Sequence, residues 1–408
     1  MLRLLWDRFE RRMVGDLPGQ VRTSMHIDLF RSCAVGIMTS ILLFIPVILV
    51  RLGASAEVIA AYYSAGYLGV FSTGVCLWLM RKWGMRVVSL SSWAVGRFVL
   101  FGGAFVTSAV GIAIVGTLHS FLEQWVEIVK PKLLEQLYPV QLRGRIMAFV
   151  QLVSACVIVF ITPIVGFTLD RIGHPILMVV AGSFGLGAVL LVSQTMVRVG
   201  DRAFVVDNES SVFVSGLWRN RAFVLFLISV VLFGVGSLIP ASIYPIVKVG
   251  RLGLTYYEIG LLGFLQSGAW VIGLLFGGWL TDRFGGLRSL QGVFLINTLF
   301  ILPYVWAWNG WMLVPSFIAI GLVSAGMELW VTYTIIELAE PGLLPEYTAV
   351  CMMVIGGRGL IAPLIGVGLL RNGVSEPSVL IFGAMLSVCA AIVLCPAISY
   401  QKATGKVA

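Results

Sequence analysis

Charge is scarce in this chain. Asp, Glu, Lys and Arg make up 12% of its 408 residues, against roughly 25% in a soluble globular domain. So low a share excludes an ordinary soluble fold. Histidine is rarer still, at three residues, too few for a His-rich metal site. The six cysteines, Cys33, Cys76, Cys156, Cys351, Cys389 and Cys395, lie in apolar stretches and form no C-x-x-C pair. They read as small buried hydrophobes, neither disulfides nor metal ligands. The sequence has no H-E-x-x-H, G-x-S-x-G or P-loop pattern, and no nucleophile–base set stands out. Those absences argue against an enzyme and imply no metal and no cofactor. A signal peptide's apolar cleavage region is missing from the first 25 residues as well.

What is there is apolar. The chain is 59% hydrophobic and holds 46 glycines, as expected of helices packed in lipid, where small residues let backbones approach. A bilayer core of ~30 Å takes about 20 apolar residues per helix. Twelve stretches qualify: 27–50, 56–80, 86–106, 109–134, 146–168, 175–197, 222–246, 257–281, 288–307, 311–337, 347–369 and 377–398. The fold class is therefore an all-α membrane protein of twelve transmembrane helices in two pseudo-symmetric six-helix bundles. The bundles run over 26–197 and 222–398, joined by a polar linker at 198–221 and closed by a tail at 399–408. Residues 1–25 read as an amphipathic basic segment, with Leu2, Leu5, Trp6, Phe9 and Met13 about a turn apart and Arg3, Arg8, Arg11 and Arg12 between them. Such a segment either lies on an anionic membrane face or frays as a tail.

Lys and Arg set the orientation. The ends and even-numbered loops carry most of them, and the odd loops hold only Arg51, Arg171, Lys248, Arg251 and Arg371. Both termini are thus expected in the cytoplasm, with a bacterial inner membrane the expected location. The net charge of +9 follows from this bias and implies no nucleic-acid partner.

The halves repeat. "RLGASAE" from Arg51 matches "RLGLTYYE" from Arg251. "WLMRKWGMR" from Trp78 matches "WLTDRFGGLR" from Trp279, and "ITPIVGFTLDRIG" from Ile161 matches "IAPLIGVGLLRNG" from Ile361. The offsets are 200, 201 and 200. Six helices per half is an even number, so these are parallel repeats.

Six plus six helices around a cytoplasmic linker resemble the major facilitator superfamily of secondary transporters. "GGWLTDRFGGLR" (Gly277 to Arg288) is similar to that family's G-x-L-x-D-R-x-G-R-[KR] loop, here between helices 8 and 9. The N-half counterpart "LWLMRKWGMR" has Arg81 where the aspartate is expected. "YPVQLRGRIMAF" (Tyr138 to Phe149) is similar to the family's P-x-x-x-R-G junction, and "TPIVG" (Thr162 to Gly166) is a partial match to an element of its exporters. The resemblance implies alternating access, with Asp282, Arg283 and Gly285 forming a conformational gate. It also implies that helices 1, 4, 7 and 10 line a central cavity.

Two polar stripes fall on helices 4 and 10. His119, Glu123, Glu127 and Lys130 are spaced 4, 4 and 3, and Ser324, Glu328 and Thr332 are spaced 4 and 4, so each set shares one helical face. A carboxylate at mid-bilayer costs ~2.5–3.5 kcal/mol on insertion scales. Glutamates there are expected to line a watery path or to pair. A raised carboxyl pKa would let them carry protons. Glu127 and Lys130 alternatively form a simple i,i+3 pair. Arg97 and Arg358 are buried cations: Arg97 is expected to pair with an acid of helix 4 and Arg358 with Glu328, or both bind an anionic substrate. Trp125 and Trp330 either stack on a ligand or pack the core. Tyr244, between Pro240 and Pro245, marks a helix break that in transporters accompanies a gate.

The leading expectation is a proton-coupled secondary transporter of a small organic solute, acting as a monomer in the lipid bilayer. Excess acid in the cavity points to a cationic or neutral solute, and the exporter-like element points to efflux. Alternatives are an importer of an anionic solute using the buried arginines, or a non-transporting membrane scaffold or sensor with the same fold.

Overall fold

Long apolar runs become helices because, away from water, the only partner for each backbone N–H is a carbonyl of its own segment. The computed structural model describes residues 14, 17–127, 130–199, 217–340 and 343–403. Most of the N-terminal segment, most of the linker and the end of the tail lie outside them. Among the described residues there is no strand. Eleven helices are long and apolar enough to cross a membrane, and a bent pair makes the twelfth. They are α1 Gly19–Arg51, α2 Ala56–Phe71 continued by Thr73–Trp83 across a 47° bend, α3 Met85–Phe105 and α4 Ala109–Glu127. Then come α5 Gln141–Ile172, α6 His174–Met196, α7 Arg221–Arg251 and α8 Tyr256–Phe284. The last four are α9 Gly286–Trp306, α10 Gly310–Leu338, α11 Glu346–Arg371 and α12 Glu376–Tyr400.

One boundary differs from the hydropathy pattern. Helix α1 begins at Gly19, a turn and more before the apolar run starts, so Arg22 and His26 are helical. Helix α4 is described as far as Glu127, and helix is described again over Lys130–Leu137.

The two halves pack alike. In the first, α1 packs on α5 and α6, α3 on α4 and α6, and α2 on α4. In the second, α7 packs on α11 and α12, α9 on α10 and α12, and α8 on α10. The backbone carries the same repeat. All six glycines with positive φ fall into pairs, Gly53 with Gly253, Gly84 with Gly285 and Gly173 with Gly373. Each ends a helix where the chain must reverse, in a region that side chains rarely enter. This is why those glycines anchor the sequence repeats.

The halves meet along two seams, α5 against α8 and α2 against α11. Twelve crossings put Gly19, Met196, Arg221 and Tyr400 at one end, here the terminal end. At the opposite, far end, one buried cluster joins both halves, including Phe44, Ile45 and Ile48 of α1 with Tyr244, Val247 and Tyr256. Toward the terminal end the apolar clusters each belong to a single half. Among the described residues, the halves therefore share a buried core at the far end and none toward the terminal end.

The seams rest on close backbone contact. A Cβ on Gly166 of α5 would run into the Tyr256 carbonyl of α8, and one on Gly260 would crowd Pro163. Gly166→Leu is therefore expected to prevent far-end closure without unfolding either bundle. In a cysteine-free background, Phe44→Cys, buried at that seam, should react with a water-soluble maleimide at least tenfold faster once Gly166→Leu is added.

Candidate transport site

Several polar residues of the first half converge. Arg97 of α3 donates from Nη1 to Glu123 Oε2 on α4, an ion pair with Arg97 2% exposed and Glu123 25%. Gly185 of α6 makes room, since a Cβ there would collide with the Arg97 stem. One turn earlier on α4, buried His119 places Nδ1 3.0 Å from the Gly96 carbonyl. A carbonyl only accepts, so the proton of that contact sits on Nδ1. Lys130 also acts electrostatically on Glu123. Glu127 is the last described residue of α4 before Lys130, and its side chain lies outside the described part of the structure.

Two adjoining cavities, sharing Arg31, Val35 and Lys130, open beside this pair. The deeper one, of about 20 Å³, is bounded by Trp93, Arg97, Glu123 and α6, room for about one water. Arg97 Nε is enclosed without a hydrogen-bond partner among the described residues. The other, of about 220 Å³, runs between α1, α5 and the Lys130–Leu137 helix and is lined by Asp28, Tyr138, Gln151 and Ser154 among others. Asp28 pairs with Arg31 Nε at 3.0 Å and accepts from the Tyr138 hydroxyl at 2.5 Å. Burial, then the Asp28 carboxylate, hold the Tyr138 hydroxyl well above the ordinary phenol range, so it stays a donor. The glutamate of the first half thus points into its own bundle, between α1, α3, α4 and α6.

The second half is arranged differently. Glu328 is exposed and accepts from the Trp270 indole of α8 at 3.2 Å. Ser324 and Thr332 flank it on α10, but their hydroxyls bond carbonyls of their own helix, Ile320 at 2.8 Å and Glu328 at 3.4 Å. Glu328 is not the partner of Arg358. Arg358 of α11 instead donates from Nη1 to the Val230 carbonyl of α7, with its guanidinium 5.6 Å from the Phe233 ring. Gly234 is what lets it lie there, because a Cβ on that residue would strike the guanidinium. The expected pairing fails because α7 lies closer to that side chain than the acid on α10.

The aromatic candidates each make contacts within the protein. Trp125 donates to Ser72 Oγ at 2.6 Å at the bend of α2, and buried Trp330 donates to the Gly277 carbonyl at 3.2 Å. Tyr244 is buried at the far end against Phe300 and Tyr304, where α7 breaks after Leu238 and ends in a π-turn at Val247–Arg251. In the α8–α9 loop, Asp282 is exposed and makes no ion pair among the described residues, while Arg283 lies 5.4 Å from the Trp279 ring. Gly285 turns the chain at φ +79°. The start of α9 is instead capped by Glu337 of α10, which accepts from the Gly286 N–H at 2.9 Å.

A second charged site was not anticipated. At the far end, Asp170 of α5 accepts from the Tyr256 and Tyr257 N–H groups of α8 at 3.0 and 2.7 Å. Thr255 caps the next N–H, that of Glu258, so the first turn of α8 is completed across the seam. Arg51 of α1 joins in: 3.7 Å from Asp170, 2.7 Å from the Leu254 carbonyl and 3.8 Å over the Tyr256 ring. At the related seam, Arg371 of α11 acts on Glu57 in the first turn of α2. Arg51 and Asp170 both stand inside the repeated segments, and Asp170 aligns with Leu370. A charge present in one repeat only, at a helix end, was the available signal.

A family model described as the Major Facilitator Superfamily matches residues 29–363. No curated protein matches the sequence. Among solved structures, the nucleoside transporter NupG, in a mutant form, is similar over 92% of this chain and 99% of its own, with TM-score 0.73 and 15% identity. A bacterial homologue of the iron transporter ferroportin, in an inward-facing state, is similar over 93% and 98%, with TM-score 0.67 and 15% identity. A bacterial homologue of the human lysosomal transporter Spinster, inward-facing and unoccupied, is similar over 95% and 97%, with TM-score 0.61 and 13% identity. At these identities the likeness is one of fold.

Two expectations follow from the ion pairs. Glu123→Leu strands a buried guanidinium and should cost about 3–5 kcal/mol of stability. Adding Arg97→Met should restore most of that loss, as a double-mutant unfolding cycle would read. Asp170→Ala leaves two N–H groups of α8 without acceptors, a loss of about 1–3 kcal/mol per unsatisfied group. Spin-label distances across the far end should then shift toward a wider population.

Proposed function

The chain belongs to the Major Facilitator Superfamily, a family of transporters rather than enzymes, and on that premise we propose that it moves a small organic solute by proton-coupled alternating access. It does so in a bacterial cytoplasmic membrane with both termini inside, the orientation that the distribution of Lys and Arg favours. The terminal end, where the halves share no buried core among the described residues, then faces the cytoplasm.

One observation carries the coupling: the buried Arg97–Glu123 pair beside a cavity in the first half. A proton arriving on Glu123 cancels its charge and leaves Arg97 as an isolated cation in an apolar bundle. That state is costly. It is relieved when the bundle rearranges or when an anion takes the place of the carboxylate. A proton thus binds the two conformations with different affinity, which is the condition for it to shift their populations. Arg51 and Asp170 close the far end in one conformation and part in the other. Asp282 and Arg283 stand ready at the opposite end, free to engage when the halves close there.

The charge arrangement changes the expected cargo. Glu123 is answered by Arg97 and Asp28 by Arg31, so the first half does not present an excess of acid to a cationic solute. In the second half the cation Arg358 has no carboxylate. That favours the alternative reading, a solute bearing negative charge.

Proteoliposomes with a pH-sensitive dye inside, offered pooled cell metabolites, test the coupling. The wild type should show a solute-triggered pH change that Glu123→Gln abolishes, while solute exchange without a gradient persists. Solute movement with an unchanged dye signal, equal in wild type and Glu123→Gln, would overturn the coupling. No solute movement in either would favour the scaffold reading.

A further inference from the structure

Arg358 stands near the middle of α11, twelve residues from Glu346 and thirteen from Arg371. At about 1.5 Å per residue that is ~18 Å from either end, beyond the reach of a lipid headgroup. An arginine at such depth is rare unless it is paired or serves a ligand. Arg358 is not paired. Among the described residues no carboxylate lies within ion-pair distance of it, and the titratable groups that face it are Tyr67 and Cys351. Its Nη1 is engaged by the Val230 carbonyl and its Nε is enclosed without a partner. One backbone carbonyl offers a partial charge to a full one.

The surroundings are built to hold the guanidinium in place. Gly234 is bare on the face it covers, so the side chain lies against the backbone of α7. On the next residue of α11, Gly359 is bare too, and the ring of Tyr67 from α2 of the other half sits against it. The cation therefore lies where α7, α11 and α2 come together, with the Tyr67 ring of the opposite half packed on the residue next to it. This is the seam that alternating access must open and close. A second cation of the same half, Lys248, also has no carboxylate partner among the described residues and faces the Phe317 ring at 5.5 Å.

We infer that Arg358, with Tyr67 facing it across the seam, holds the anionic group of the solute, a carboxylate or a phosphate. A planar five-donor guanidinium suits a two-oxygen contact with either. An oxyanion there supplies the missing counter-charge. Because Arg358 and Tyr67 belong to different halves, it also binds the arrangement in which they are close. This rests on the transporter reading above and assigns the solute its charge class: a small organic anion.

The test is thermal unfolding of the purified full chain in detergent, with acetate, benzoate or inorganic phosphate titrated against sodium chloride of equal ionic strength. At least one oxyanion should raise the melting temperature of the wild type beyond chloride. Arg358→Gln should raise the half-effective concentration more than tenfold. Arg358→Lys keeps the charge but not the fork and should fall between, and Tyr67→Phe should weaken the effect severalfold. These two conservative variants decide the matter should Arg358→Gln fail to fold. Equal stabilisation of wild type and both Arg358 variants, or no oxyanion effect beyond chloride, would overturn the assignment. The measurement involves no gradient. An oxyanion effect lost in the Arg358 variants, alongside an unchanged dye signal in vesicles, would therefore sink the proton coupling and leave the anion site standing.

Discussion

Two bundles that share no buried cluster at one end must be held at the other, and the Asp170 carboxylate is central to that hold. It completes the first turn of a helix belonging to the opposite half. It draws on three favourable effects at once: acceptance of orphan N–H groups, the positive end of a helix dipole, and the Arg51 guanidinium alongside. None is large alone at a partly exposed site. Together they fix the register in which α5 crosses α8, and that register brings the bare backbone of Gly166 onto the Tyr256 carbonyl. The shared cluster at the far end depends on this hold.

The architecture was legible because it rests on composition and on glycine. Apolar runs have one structural solution in lipid, and the repeat was anchored at turns where only a residue without Cβ fits. Gly53, Gly84 and Gly173 and their partners therefore stood out in sequence and again in the backbone. The pairing of Arg97 with an acid of α4 was legible too, since a buried cation one helix away from a buried acid has few alternatives. Side-chain choices that depend on distances between helices were not. Arg358 takes a carbonyl of α7 because Gly234 admits it, and no one-dimensional pattern weighs that against Glu328. Trp125 and Trp330 each follow a stripe glutamate by two residues, yet each spends its N–H on a neighbouring helix.

The two halves share a backbone but divide the electrostatic work. The first neutralises its cations internally, Arg31 with Asp28 and Arg97 with Glu123, so its charge state depends on whether those carboxylates hold protons. Among the described residues, the second leaves Arg358 and Lys248 without carboxylates and places Glu328 against an indole. One fold copied twice thus answers its membrane-embedded cations in two ways. Under the proposed function, such a division lets a proton and an anion act on one equilibrium without competing for one side chain.

The bend in α2 has a mechanical consequence. Its first piece packs on α11 and α4, and its second on α3, so the helix is a cranked lever with one arm in the seam and one in its own bundle. The pivot is pinned at Ser72 by Trp125, a residue two positions along α4 from Glu123. A small rotation of α4 would turn the pivot and the Glu123 side chain together. The Arg97–Glu123 pair and the contact of α2 on α11 are therefore geared to one another through a shaft a few residues long.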